Sequence, residues 1–147
     1  KLVYNQNAGM QKPIWNKVKE TILYLRSKGL RVDGIGWQGH LKLSRTTVDF
    51  IEKTDEALIE LSNLIDWAHA NDLDFHVTEL DYKVIDKSKL EDEFQTQAIL
   101  YQKIVNVLQS KTSTLLFLHC IASYWGLKLL QGQKFQEYLY LFQNRWL

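Results

Sequence analysis

Asp74-Phe75-His76-Val77-Thr78-Glu79-Leu80 is a short run of strand length, and its flanks decide how the chain folds. Before it, from about Thr54, the residues Leu58, Leu61, Leu64, Ile65 and Ala68 recur at helical spacing. Asp55 and Glu56 fall in the first turn of that stretch, where the helix dipole favours anions. After it, Leu90 to Leu108 carries the same period, with Phe94, Ala98, Tyr101, Ile104, Val105 and Leu108 expected to face inward. Further towards the N-terminus lie the apolar runs Leu2-Val3-Tyr4 and Val32 to Trp37. Between them a helix opens at Pro13, buries Ile14, Val18, Ile22 and Leu25, and stops at Gly29. A fourth strand-like run, Thr114 to Leu118, precedes a fourth helix or irregular segment, and a helix-like piece sits near Thr47 to Lys53. Short strands separated by long helices read as an α/β chain of four βα units around a parallel sheet.

Four units fit either a small open sheet with helices on both faces or half of an eight-stranded barrel. A complete barrel takes roughly 250 residues, so the 147 residues here cannot close one alone and read as a single domain, 1–147. Half a barrel has two raw edges and an uncovered inner face. With one proline and seven glycines the chain offers no flexible linker, and the units show no residue-level repeat.

Composition narrows the function classes. The chain is 46% apolar and 24% charged, as expected of a folded globular protein. Its 18 basic and 17 acidic side chains leave a net charge of +1, which removes the electrostatic reason to expect nucleic acid or an anionic membrane as partner. The longest apolar stretch, Leu115 to Leu130, is interrupted by His119, Ser123 and Lys128 and is shorter than the ~20 residues of a spanning helix. Cys120 is the sole cysteine, so neither an internal disulfide nor a paired-cysteine metal site is available. His119 beside it has nothing else to complete a metal set. Gly34-Ile35-Gly36 lacks the third glycine and the following helix start of a dinucleotide loop. Five Trp, seven Tyr and six Phe serve either a core or a cleft in which rings stack on sugar faces, and composition leaves both open.

In parallel α/β sheets functional side chains collect at the C-terminal strand ends. Those ends give Asn5-Gln6-Asn7, Gln38-Gly39-His40, Thr78-Glu79-Leu80-Asp81 and His119. Alternation is expected to put Val77 and Glu79 on one face and Thr78 and Leu80 on the other. Glu79 reads either as a solvated strand-end carboxylate or as a nucleophile or general base. An imidazole such as His40 can fix the carboxylate's rotamer, and Asp81 can hydrogen-bond the far side of that ring.

Asn5 with Leu2-Val3-Tyr4, the segment Val32-Asp33-Gly34-Ile35-Gly36-Trp37-Gln38-Gly39-His40-Leu41, and His76-Val77-Thr78-Glu79-Leu80-Asp81 resemble strands five, six and seven of family 10 glycoside hydrolases. The order and spacing agree over about residues 1 to 110. Those proteins are retaining endo-β-1,4-xylanases on a (β/α)8 barrel. The resemblance implies a TIM-barrel-like half-barrel whose four units correspond to strands 5–8. It implies that Glu79 is the nucleophile, that His40 hydrogen-bonds it, and that Asp81 supports His40. It further implies that Gln38 and Asn5 contact the sugar and that β-1,4-xylan is the substrate, with no cofactor. Secretion follows from the resemblance alone.

Three departures matter. The family's acid/base glutamate ends strand four in a Trp-Asp-x-Val-Asn-Glu motif, and no such motif occurs in residues 1–147. Without that proton donor the acid-assisted step loses about 10²–10⁴-fold or more in rate, so the chain alone is expected to be nearly inactive. At strand eight, His119 stands where a tryptophan is usual; Trp125 replaces the second roofing ring only with a shifted register, or packs on the last helix. At strand five the family's Asn-Asp or Asn-Glu is Asn5-Gln6 here. The expected partner is a second copy covering the open edges in a homodimer, or a missing N-terminal half. A rival expectation is a non-catalytic carbohydrate-binding remnant in which Trp37, Gln38, His40 and Trp125 hold sugar without cleaving it.

Overall fold

The computed structural model describes residues 1–41, 53–82, 88 and 90–111. Strands and helices alternate: β1 (Val3–Asn7), α1 (Lys12–Ser27), β2 (Gly34–Leu41), α2 (Thr54–Ala70), β3 (Asp74–Tyr82) and α3 (Leu90–Ser110). The expected piece at Thr47 to Lys53 and the fourth strand at Thr114 to Leu118 lie outside the described residues, Lys53 apart.

The helix ends follow from local chemistry. Pro13 sits in the first turn of α1, where its missing N–H costs no hydrogen bond. The helix closes through Gly29, whose φ of 74° favours a residue without Cβ, and the Leu30 amide returns to the Leu25 carbonyl. At the end of α2 the left-handed position is taken by Asp72 (φ 53°), and the Leu73 amide donates to the Ala68 carbonyl. Leu73 is buried there, so the turn and the core hold the same residue.

All three strands are parallel, in the spatial order β1-β2-β3. A sheet that grows one strand at a time in one direction through right-handed crossovers places every connecting helix on the same side. Packing agrees. Ile35, Trp37, Leu41, Phe75, Val77, Leu80 and Tyr82 share one core with Trp15, Val18 and Ile22 of α1, with Leu61, Leu64, Ile65 and Ala68 of α2, and with Leu100, Ile104 and Leu108 of α3. The order and the one-sided helices are those of a barrel segment, as opposed to a sheet wound on both faces.

Three expectations are corrected. The polar residues read as following the strands lie inside them, since β1 runs on to Asn7, β2 to Leu41 and β3 to Tyr82. Ala98 is exposed while Leu100 is buried; two residues are about 200° of helix rotation, so the inward stripe of α3 runs through Leu100, Ile104 and Leu108. Strict alternation along β3 fails as well. Trp37 pairs with Val77 but Gln38 pairs with Glu79, leaving Thr78 as an extra residue in the ladder. This β-bulge puts Val77 and Leu80 on the core side, both essentially inaccessible, and turns Thr78 and Glu79 together onto the opposite face.

Candidate functional site

The face of the sheet away from the helices is polar. In register across it stand Asn5 opposite Gly36, Asn7 opposite Gln38, Gln38 opposite Glu79, and His40 opposite Asp81. The strands therefore carry these side chains to one end of one surface, and hydrogen bonds lock them together. Gln38 Nε2 donates to Glu79 Oε1 at 2.5 Å. His40 lies between two carboxylates, with Nε2 3.0 Å from Glu79 Oε2 and Nδ1 2.6 Å from Asp81 Oδ2. All four are partly buried, with the Glu79 side chain the most accessible of the His40 cluster at 30%.

Both ring nitrogens of His40 can donate at once only in the imidazolium form; the neutral ring has one donor and one acceptor. The shorter contact, to Asp81, is the natural place for an N–H on Nδ1. That bond fixes the plane of the ring and so the direction from which Nε2 meets Glu79. Glu79 is thereby gripped from two sides, by an amide and by an imidazole, and is held in one rotamer while its edge stays open to solvent. Chemically this is an oriented, accessible carboxylate backed by a proton-carrying group. Such a group suits attack on an electrophilic carbon or abstraction of a proton.

Asn5 sits deeper. Its Oδ1 accepts the Thr78 hydroxyl at 2.8 Å, with the Trp37 carbonyl oxygen at 3.1 Å as a second acceptor for the same proton. Asn5 and Thr78 belong to strands two places apart and meet above Gly36. The sequence places Thr78 among the strand-end residues but gives it no role of its own. The available signal was Gly36 itself, since a glycine inside a strand marks close approach of neighbouring groups.

Trp37, expected as a sugar-holding ring in the non-catalytic reading, is fully buried on the helix side, and its indole N–H donates to the Ala8 carbonyl at 2.7 Å. Its place in the even alternation of β2, opposite Gln38 and His40, dictates this. Trp15 Nε1 likewise donates to the Gly9 carbonyl at 2.7 Å, so two indoles pin the loop that follows β1. His119, Cys120 and Trp125 lie outside the described residues. At the other end of the polar face, Asp74 is paired with Lys1, and His76 is buried with its Nε2 3.8 Å from Asp74 Oδ2. Among the described residues no group of three His, Cys, Asp or Glu side chains is arranged to hold a metal ion, and no helix is long and apolar enough to cross a membrane.

A family model described as Glycosyl hydrolase family 10 matches residues 1–128, which include every described strand and helix. No curated protein matches the chain.

Proposed function

The chain belongs to glycosyl hydrolase family 10, a TIM-barrel family acting on xylan-type polysaccharides, and on that premise we propose that it carries the nucleophile side of a retaining endo-β-1,4-xylanase site. The supporting observation is Glu79, oriented by Gln38 and His40 at the C-terminal end of a parallel sheet. In this reading the four βα units correspond to strands 5–8 of the barrel and form one domain. Glu79 attacks the anomeric carbon of a β-1,4-linked xylose unit. The glycosidic C–O bond breaks, and an ester between Glu79 and the sugar forms with inversion. The departing oxygen takes its proton from an acid outside these residues. Water then attacks the same carbon, gives its proton to the conjugate base of that acid, and returns Glu79 to a carboxylate with net retention. Gln38 and Asn5 contact the sugar near the cleaved bond, and Trp125 roofs it.

The second carboxyl of a retaining pair lies about 5–5.5 Å from the first. Asp81 does not fill that role, because its oxygen is committed to His40 Nδ1. This favours a very weak enzyme, and it also favours the second reading, a module that binds xylan without cleaving it. Covering of the open sheet is proposed to come from a second copy of the chain, related by a two-fold axis that hides both strand edges. A monodisperse monomer by light scattering at micromolar concentration refutes the dimer.

A substrate that needs no acid separates the two functional readings. A 2-fluoro-xylobioside with a dinitrophenolate leaving group is expected to add one fluoroxylobiosyl group to the chain, located by peptide mass spectrometry on Glu79. Glu79→Gln is expected to take up none. Reversible xylobiose binding without any adduct supports the non-catalytic module. An adduct that persists in Glu79→Gln overturns the assignment of the nucleophile.

A further inference from the structure

We infer that Thr78 is a positioning residue for Glu79, acting through its hydrogen bond to Asn5 across Gly36; this deepens the nucleophile reading and rests on it. The inserted position of a bulge lacks a ladder partner of its own, so its backbone has more freedom than its neighbours. Glu79 follows directly and inherits that freedom. Thr78 removes it through its side chain. The hydroxyl ties the inserted residue to Asn5 Oδ1 on β1 and to the Trp37 carbonyl on β2, so all three strands fix one point. Gly36 makes the reach feasible: an ideal Cβ there would lie 2.5 Å from Asn5 Oδ1 and 3.0 Å from the Thr78 methyl carbon, so only a hydrogen leaves room for the bridge. The β-branch adds a restricted χ1. The carboxylate that follows then meets His40 Nε2 and Gln38 Nε2 at hydrogen-bonding distance.

The test compares Thr78→Val, which keeps the shape and loses the hydroxyl, with Thr78→Ser, which keeps the hydroxyl, and with Asn5→Ala, which removes the acceptor on the neighbouring strand. The first readout is nitrogen NMR of the labelled His40 ring at fixed pH. Thr78→Val and Asn5→Ala are expected to shift the Nε2 resonance, which reports the Glu79 contact, more than the Nδ1 resonance. Thr78→Ser is expected to match the wild type. The second readout is the rate of Glu79 labelling by the fluoroglycoside, expected to fall by about ten- to hundredfold in Thr78→Val, the range produced by misplacement on the ångström scale. Thr78→Ser is expected to retain most of that rate. An unchanged Nε2 resonance in folded Thr78→Val overturns the inference. Unfolding of all three variants also overturns it, since the residue is then a stability element alone. If the wild type is not labelled, the nucleophile reading fails, while the NMR comparison still decides whether Thr78 aims Glu79.

Discussion

Gly36→Ala tests whether the polar face is packed as tightly as its geometry indicates. The new methyl would sit 2.5 Å from Asn5 Oδ1 and 3.0 Å from both Thr78 Cγ2 and Val3 Cγ1. The closest of these is the tip of a short side chain, so Asn5 can swing away, but only by giving up its bond to Thr78, about 1 kcal/mol. The two methyl contacts remain, and overpacking of this kind costs about 1–3 kcal/mol. Loss of glycine's freedom in the unfolded chain returns about 0.4–1 kcal/mol. The net expectation is a destabilisation of about 1–3 kcal/mol, read from urea unfolding followed by the fluorescence of the buried Trp15 and Trp37. An internal control sharpens it. In an Asn5→Ala background the 2.5 Å clash no longer exists, so the cost of Gly36→Ala should shrink by about 1 kcal/mol. A substitution that is neutral or stabilising, or a cost equal in both backgrounds, would refute the account of Asn5, Gly36 and Thr78 as one packed unit.

Other consequences follow from the same geometry. Trp37→Phe removes the donor to the buried Ala8 carbonyl and leaves a void in the core, and is expected to destabilise by about 2–4 kcal/mol in urea unfolding; a change under about 0.5 kcal/mol would contradict the burial. Leu61→Ala on the inward stripe of α2 is expected to cost about 2–5 kcal/mol by the same measurement. Asp81→Asn replaces a carboxylate acceptor with an amide that can accept from or donate to His40 Nδ1, so the tautomer of the ring is no longer fixed, and the change is expected to slow Glu79 labelling by about tenfold or more with little loss of thermal stability. Arg31 and the Leu2 amide hold the Asp33 carboxyl below its ordinary value of 3.8. The unfolded chain therefore takes up that proton first, the stability it contributes is complete above that value, and it is lost as pH falls through the lower folded value. Thermal melts from about pH 5 to pH 2 should show a shallower acid decline in Asp33→Asn, and an unchanged slope would count against the pair.

Local signals carried much of the fold. Pro13 and Gly29 bracket a helix because one lacks an N–H and the other lacks a Cβ, and both facts are visible in a single residue. Strand ends were read short because the rule that finds strands looks for apolar side chains. In β2 the polar residues Gln38 and His40 alternate with Gly39 and Leu41, so the strand continues past the point where the apolar run stops. Glu79, His40 and Asp81 were legible as a group because neighbouring parallel strands bring their C-terminal ends together. The bulge was not legible. It is a property of the register between two strands some forty residues apart, and neither strand alone states it. Ala98 is a smaller matter: Ile104 and Leu108 lie on the inward stripe as expected, but one i, i+4 step back from Ile104 is Leu100, and Ala98 falls on the other side of the helix.

The bulge joins the core to the chemistry. Pairing Thr78 as an ordinary rung, with strict alternation along β3, would reverse every side chain beyond it. Leu80 and Tyr82 would leave the helix-packed side, while Glu79 and Asp81 would be driven into it. Exposing Leu80 alone forfeits about 1.5–3 kcal/mol, and burying each carboxylate without a partner costs several kcal/mol more. The total rivals the whole stability of an ordinary domain, about 5–15 kcal/mol, so the reversed register has no population of consequence. The side of the sheet to which Glu79 belongs is thus settled by apolar burial on the other side. Its direction within that side is a finer matter, left to groups worth about 1–3 kcal/mol each: the Thr78 hydroxyl, the Gln38 amide and the His40 ring. Substitutions in the core should therefore change how much folded protein exists. Substitutions at Thr78, Gln38 or Asp81 should change what the folded protein does.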